Sequence, residues 1–118
     1  MTALPTTGPP LVEARVAVPD AESARRIAQD LVARQLAACV QVLGPMTSVY
    51  GWQGEVHRTE EWLLLAKTSA ESFPALAQAV RELHSYDVPE VVAVPITQAL
   101  AEYALWVWQR SAGPTLPT

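Results

Sequence analysis

Apolar residues form short runs in some parts of this chain and follow helical spacing in others, and this contrast predicts its elements. Leu11 to Val18 is a mostly apolar run that ends at Pro19-Asp20, so it is predicted to be the first strand. The next segment has i, i+3, i+4, i+7, i+8 spacing, which predicts an amphipathic helix of about four turns with Asp20 as its N-cap. Its apolar positions are Ala24, Ile27, Ala28, Leu31 and Val32.

Two strand-like runs flank Gln53-Gly54, and a two-residue loop that ends in Gly is a signal of a short β-hairpin. The first run, Val40 to Trp52, would reach about 44 Å at ~3.4 Å per residue. A domain of this chain length is expected to be about 35 Å across. The hairpin therefore either folds back at Gly44-Pro45 or projects beyond its own domain. A projecting hairpin has unpaired edges, which another copy of the chain would cover.

The second half of the chain predicts a second helix, a further strand and a C-terminal helix. Pro74 fits a first helical turn, so a second helix is expected to begin near Ser72. A loop at 84–88, a fourth strand at 89–96 and a C-terminal helix at 100–110 follow. The apolar stripe of the second helix is Phe73, Leu76, Ala77, Val80 and Leu83.

The predicted order, β-α-β-β-α-β plus a helix, indicates an α+β fold, the ferredoxin-like split sandwich with an extended hairpin. We expect one such domain over residues 11–111, with flexible tails at 1–10 and 112–118. Helices cover one face of this sheet. Val, Leu, Trp and Tyr on its strands are too apolar for the other face to meet water, so burial between subunits is expected.

Composition excludes several classes of partner. The 118 residues are 50% apolar and carry a net charge of −4 without a Lys/Arg cluster, which disfavours binding to nucleic acid or to an anionic membrane surface. No apolar run approaches ~18 residues, and the first ten residues lack the basic start and apolar core of a signal peptide. A single cysteine, Cys39, is consistent with a reducing compartment, so a cytoplasmic protein is expected.

No catalytic constellation is visible in the sequence. Thr47 and Ser48 have no evident His and Asp partners, and the five glycines form no phosphate-binding loop. Neither H-E-x-x-H nor C-x-x-C occurs. We therefore expect a protein that is not an enzyme and holds no organic cofactor.

His84 is the polar residue with the clearest chemical potential, because Asp87 and Glu90 follow it closely. One interpretation is a helix-terminal histidine near the negative end of the helix dipole, with Asp87 as an ordinary surface carboxylate. The other is a metal site, since an imidazole with carboxylates suits a divalent cation such as Cu²⁺ or Zn²⁺. Spacing alone leaves both open.

Aromatic residues are concentrated in the hairpin and the last helix. They are explained either by packing between subunits, where aromatic residues are common, or by a small-molecule cleft with a few polar groups. The two are compatible in an inter-subunit cleft. Lys67 follows an apolar run and is expected to pair with Glu61 or Glu90. The candidate cleft residues are Tyr50, Trp52, Glu61, Lys67, Tyr86 and Trp106.

Several motifs occur in the order and spacing of the CutA family, the divalent-cation tolerance proteins, and the resemblance covers about residues 12–110. The motifs are Leu36-Ala37-Ala38-Cys39-Val40, Ser48-Val49-Tyr50-Gly51-Trp52-Gln53-Gly54, Leu63-Leu64-Leu65-Ala66-Lys67-Thr68, His84-Ser85-Tyr86-Asp87-Val88-Pro89-Glu90 and Tyr103-Ala104-Leu105-Trp106.

This resemblance implies a homotrimer with its sheets turned inward, a trimer plan shared with the PII signalling proteins, and a role in divalent metal tolerance. Some bacterial relatives are thought to bind copper through a His in the 84–90 loop and a Cys on the first strand, where this chain has Val16. The loop reads His-Ser-Tyr-Asp where the family commonly has His-Pro-Tyr-Glu. The alternatives are a PII-like module that binds a small ligand between subunits and a trimeric assembly scaffold.

Overall fold

The computed structural model describes residues 4, 5, 8 and 10–113 of the chain. The helices and strands predicted between residues 11 and 110 are confirmed, with bounds that differ by one or two residues. In chain order the elements are β1 (Leu4–Pro5), β2 (Leu11–Val18), α1 (Ala21–Ala33), β3 (Cys39–Trp52), β4 (Glu55–Ser69), α2 (Phe73–Leu83), β5 (Val91–Ile96), β6 (Gln98–Ala99) and α3 (Ala101–Arg110).

Within the described residues, four strands form one antiparallel sheet in the order β3-β4-β2-β5. Helix α1 joins β2 to β3, and helix α2 joins β4 to β5, so each helix connects strands that are not neighbours. The hairpin between β3 and β4 links the two β-α-β halves. This connectivity confirms the predicted α+β, ferredoxin-like fold.

Helix α1 begins where the sequence predicts it to begin. Asp20 is extended (φ −152°, ψ 163°), and its carboxylate accepts a hydrogen bond from the Ser23 backbone N–H at 2.7 Å. The backbone and hydroxyl bonds from Ser23 hold the pKa of Asp20 below its ordinary value. The predicted apolar side of α1 is buried except at Val32, which is 42% exposed because it lies at the margin of the stripe.

The main core lies between the two crossover helices and one face of the sheet. Alternate residues of β2 and β4 point into it, and both helices close it from the other side. In α2, Ala79 takes a fully buried place that the sequence pattern assigned to Ala77. The largest fully buried side chains of this core are Val16, Val18, Ile27, Leu31, Leu64, Leu76 and Val80.

The β3–β4 hairpin projects rather than folding back. β3 runs for 14 residues and β4 for 15, and the pairing continues past Gly44-Pro45 with a register shift between Leu43 and Met46. A shift of this kind bends and twists a strand without ending it. The molecule is accordingly 46 Å along its longest axis, and its radius of gyration is 15.2 Å; a compact chain of this length would have about 13 Å.

Helix α3 covers one end of the opposite face of the sheet. There it packs Ala104 and Val107 against Leu11 and Ala38 in a second, smaller buried cluster. Beyond α3 the same face is open. Large apolar side chains remain exposed on it, at Leu43 (48%), Val92 (48%) and Val94 (37%).

A polar group lies in the middle of this open face. Lys67 Nζ is 3.2 Å from Glu13 Oε2 and donates a hydrogen bond to Gln41 Oε1 at 2.9 Å, while Arg15 Nε donates to Glu13 Oε1 at 3.0 Å. Burial raises the pKa of Glu13, but the hydrogen bonds from Arg15 and Lys67 outweigh it and hold that pKa below its ordinary value. The open face is therefore apolar around a centre of paired charged and polar side chains.

Most of each predicted tail, at residues 1–10 and 112–118, lies outside the described residues. Within the first, Leu4–Pro5 pairs antiparallel with Gln98–Ala99 and forms a two-stranded sheet. None of the helices in the described part of the chain combines the length and the apolar character that a membrane crossing needs.

The approach of β3 to Trp62 at Gly44 generates a stability prediction. A Cβ added at Gly44 would lie 2.6 Å from the Trp62 ring, whereas a Cβ added at Gly51, on the same strand, would meet nothing within 4 Å. Overpacking of this kind costs about 1–3 kcal/mol. We expect Gly44→Ala to lower the free energy of unfolding by that amount in urea denaturation, at fixed protein concentration.

The matched control is Gly51→Ala, which should leave the unfolding midpoint unchanged or slightly raised, because Ala restricts the unfolded chain more than Gly. Equal midpoints for the two variants would contradict the close approach of Gly44 to Trp62.

Candidate functional site

A cavity of about 760 Å³ opens between the projecting hairpin and the loop that joins α2 to β5. Strand β3 forms one wall, the loop forms the other, and single residues of β2 and β4 lie at its base. We call this cavity the cleft. Its lining residues are Ala17, Ser48, Val49, Tyr50, Trp52, Glu61, Tyr86, Asp87, Val88 and Glu90.

The hairpin wall is held in place by its turn and by cross-strand pairing. Gln53 and Gly54 both have positive φ (51° and 77°), as a two-residue turn that matches the twist of the strands requires. In the resulting register Tyr50 lies opposite His57, and the two rings stack with centroids 5.6 Å apart. Trp52, at the end of β3, is 61% exposed and extends the aromatic wall.

The loop wall is positioned by His84, the residue that ends α2. Its Nε2 lies 2.7 Å from the carbonyl oxygen of Ala17, and its Nδ1 accepts a hydrogen bond from the Tyr86 backbone N–H at 3.1 Å. A carbonyl only accepts and a backbone N–H only donates, so the imidazole is neutral with its proton on Nε2. The ring is 9% exposed, and neither nitrogen has a free lone pair for a metal.

The base of the cleft contains a buried carboxylate that the loop reaches. Glu61 is 8% exposed, and its Oε2 accepts a hydrogen bond from the Tyr86 hydroxyl at 3.0 Å. Although 41% of Tyr86 is exposed, its hydroxyl end lies against this buried group. Desolvation first, and then the hydrogen bond and negative charge of Glu61, raise the pKa of Tyr86 to about 12.

The charged side chains that line the cleft are all negative, among the described residues. Asp87 and Glu90 lie exposed on the loop, and together with Glu61 they give the lining three carboxylates. No Lys, Arg or His is among the described residues that line it. An anionic ligand would meet only like charges here, whereas a cation would be attracted.

The structure brings four of the six predicted cleft residues together, namely Tyr50, Trp52, Glu61 and Tyr86, and leaves two elsewhere. Lys67 does not pair with Glu61 or Glu90 as predicted. Its partner is Glu13 on the neighbouring strand β2. Trp106 lies on α3, where its ring contacts that of Tyr103 at a centroid distance of 5.6 Å.

The predicted metal-ligand set is not assembled. Asp87 and Glu90 line the cleft, but His84 is turned to Ala17 and Tyr86. Across the described residues no group of three or more His, Cys, Asp or Glu side chains is placed to hold a metal ion. The interpretation of His84 as a helix-terminal structural residue fits this geometry better than its interpretation as a ligand.

Sequence reasoning missed four lining residues, which are Ala17, Ser48, Val49 and Val88. Ser48 could have been found, because side chains two apart on a strand share a face and Ser48 is two residues before Tyr50. Ala17 and Val88 carry no such signal. They line the cleft only because the His84 hydrogen bond brings the loop against the end of β2.

The fold and the cleft define a class of protein: a ferredoxin-like α+β protein with an open sheet face and an acidic, aromatic cleft beside it. The family model for the CutA1 divalent ion tolerance protein matches residues 13–110. The chain therefore belongs to the CutA family of divalent-cation tolerance proteins.

Similarity to individual family members is high. The divalent-cation tolerance protein CutA of Thermus thermophilus is 49% identical over 92 residues, which covers 78% of this chain and 89% of that protein. Protein CutA of Mus musculus is 38% identical over 107 residues, and the match spans 86% of this chain but only 60% of the mouse protein.

Solved structures agree with these sequence matches. The divalent cation tolerance protein of Thermus thermophilus superposes with a TM-score of 0.84 at 44% identity, over 86% of this chain and 98% of that one. The Archaeoglobus fulgidus protein, described as a periplasmic divalent cation tolerance protein, gives 0.80 at 33% identity, over 82% and 94% of the two chains.

The hydrogen bond between Tyr86 and Glu61 generates a titration prediction. In NMR of ring-labelled tyrosine, Tyr86 should ionise at about 12, well above the ordinary 10.0. Glu61→Gln keeps an acceptor oxygen but removes the charge, so it should lower the pKa of Tyr86. The signal is assigned with Tyr86→Phe. A pKa of Tyr86 that is the same in the parent and in Glu61→Gln would contradict the contact.

The same shift has a consequence for stability. A pKa raised on folding means that the folded state binds the proton more tightly, so the stabilisation is fully present below pH 10 and is lost as the pH rises towards 12. This loss should be smaller in Glu61→Gln when unfolding midpoints are measured across that interval.

Proposed function

We propose that the protein acts in divalent-cation tolerance as a homotrimeric, non-catalytic binding protein whose cleft is its ligand site. A divalent cation such as Cu²⁺ or Zn²⁺ is the first candidate ligand. The observation that carries the proposal is that three carboxylates and no basic side chain line the cleft, among the described residues. Membership of the CutA family supports the role in tolerance.

A cation in this cleft would be held by oxygen atoms. Asp87 and Glu90 are exposed and free to turn towards an ion, while the two ring nitrogens of His84 are occupied. Carboxylate oxygens alone favour hard cations over Cu²⁺ or Zn²⁺. We therefore propose modest affinity for transition metals and no dependence on the imidazole.

The homotrimer is supported by the apolar surface that one chain leaves uncovered. Leu43, Val92 and Val94 are exposed on the open sheet face, and Val56 (79%) is exposed on the projecting hairpin, outside the lining of the cleft. Several large apolar side chains exposed on one uncovered sheet face favour an interaction site. Other copies of the chain, with the same projecting edges, are the proposed cover.

Cytoplasmic location is part of the proposal and rests on the single cysteine, Cys39. The relative described as periplasmic makes the periplasm the alternative, and cell fractionation decides between them. The PII-like alternative is disfavoured for an anionic ligand by the acidic lining of the cleft. A scaffold role makes no use of the cleft, so the detection of ligand binding in the cleft would favour the proposed function over a scaffold role.

Metal titration tests the cation site. Chelator-treated protein titrated calorimetrically with Zn²⁺ or Cu²⁺ should bind, and the double variant Asp87→Asn/Glu90→Gln should bind at least ~10-fold more weakly. Because the ligands are carboxylates, most of the affinity should persist at about pH 5.5, where an imidazole site would be protonated. Undiminished metal binding by the double variant would contradict a carboxylate site. So would the loss of metal binding by the parent protein at about pH 5.5.

Sedimentation equilibrium tests the oligomer. Val92→Glu places a charge on the open sheet face, and Val32→Glu makes the same change at the exposed margin of α1, away from that face, at similar exposure (48% and 42%). Val92→Glu should weaken assembly by about 2 kcal/mol or more, roughly 30-fold, whereas Val32→Glu should sediment as the parent does. A parent that sediments as a monomer at micromolar concentration rules out the trimer.

A further inference from the structure

The cleft is much larger than a metal ion needs. Its volume of about 760 Å³ falls within the ~300–1,000 Å³ of small-molecule sites. Most of its lining is not made of ligating groups, and no three-ligand group occurs in the described part of the chain. The space and the walls therefore suit an organic molecule better than a bare ion.

Three aromatic rings line this space, from Tyr50 and Trp52 on the hairpin and from Tyr86 on the loop. In the single chain all three side chains are partly exposed (43%, 61% and 41%), so a ligand in the cleft can contact them. The face of an aromatic ring attracts an ammonium group within about 6 Å, and groups of such rings recognise quaternary ammonium ligands. The hairpin wall and the loop wall thus both present aromatic rings that can attract an ammonium group.

Glu61 adds a buried negative charge at the base of the same space. Only its Oε2 has a described hydrogen-bond partner, the Tyr86 hydroxyl. Every described side-chain oxygen that is shut off from solvent has a hydrogen-bond partner. Oε1 has no described partner, so it keeps some contact with solvent, and Glu61 is one of the residues that line the cleft. A carboxylate that is 8% exposed and has no basic partner in the described lining would be stabilised by a positive charge beside it.

We propose that the cleft binds a small organic cation, an amine or quaternary ammonium group on an apolar body, with the charge at Glu61 and the body against Tyr50, Trp52 and Tyr86. This rests on the proposed function in one respect, that the cleft is a ligand site. It differs in the ligand, because an organic cation uses the aromatic walls that a metal ion does not need.

The test compares three probes that share a benzyl group and differ in charge. Benzyltrimethylammonium is cationic, benzyl alcohol is neutral and phenylacetate is anionic. By calorimetry and ligand-observed NMR with the intact protein, we expect benzyltrimethylammonium to bind with Kd below ~1 mM, and the neutral and anionic probes at least ~10-fold more weakly. Equal binding of the three probes, or none by the ammonium probe, would overturn the proposal.

Adjacent glutamates supply the matched control. Glu61→Gln should weaken ammonium binding at least ~10-fold, whereas Glu60→Gln, which changes an exposed neighbour that points to the other side of β4, should leave it unchanged. Tyr50→Leu should weaken it without removing a charge. Circular dichroism and sedimentation check that each variant folds and assembles as the parent does, and identical affinities in Glu61→Gln and Glu60→Gln would overturn the assignment of Glu61.

The outcomes of the Zn²⁺ titration and the ammonium titration together separate this inference from the proposed function. Binding of Zn²⁺ that is lost in Asp87→Asn/Glu90→Gln, without any ammonium binding, overturns the organic-cation inference and leaves the proposed function in place. Ammonium binding without metal binding supports the inference and removes the metal as ligand. The absence of both removes the cleft as a ligand site altogether.

Discussion

The cleft depends on one buried imidazole that ties the end of α2 to the end of β2. His84 donates from Nε2 to the Ala17 carbonyl and accepts at Nδ1 from the Tyr86 N–H. A neutral imidazole offers one donor and one acceptor on opposite sides of a rigid ring, which suits these two backbone groups. The loop that begins at His84 is thereby held beside the sheet, and Tyr86 can reach Glu61 on β4. One histidine thus sets the loop wall and completes the base of the cleft.

The hairpin provides the other wall, and its length has two effects. Because β3 and β4 continue beyond the core, Tyr50 and Trp52 stand at the cleft with space around them. The same extension exposes apolar residues of the hairpin, such as Val56, beside the apolar residues of the open sheet face. A domain that keeps such surface stable in water needs to cover it, so the feature that forms the cleft also drives the proposed self-association.

Local signals in the sequence predicted the fold well. The helical spacing after Asp20, Pro74 in a first turn and Gln53-Gly54 between two strands each fix a neighbouring stretch of backbone, and the structure has all three. The edge of the buried side of a helix was harder to predict. Val32 continues the apolar spacing of α1 but is exposed, because a helix covers the sheet with only part of its circumference.

The site was predictable only in part, since it depends on partners that are distant in sequence. Lys67 has a long side chain with several carboxylates in reach, and the strand register, which the sequence does not give, places it opposite Glu13. His84 next to Asp87 and Glu90 has the composition of a metal site, but the two groups that occupy its ring are backbone atoms. Backbone partners leave no trace in the pattern of side chains.

NMR of the imidazole nitrogens tests most directly whether His84 is a structural link and not a ligand. With His57→Gln used to assign the two histidines, the account predicts that His84 is the neutral Nε2–H tautomer and that its nitrogen shifts are unchanged by Zn²⁺ at concentrations that saturate the cleft. An Nδ1–H tautomer, or a His84 nitrogen resonance that moves to a metal-bound position when Zn²⁺ is added, would contradict it.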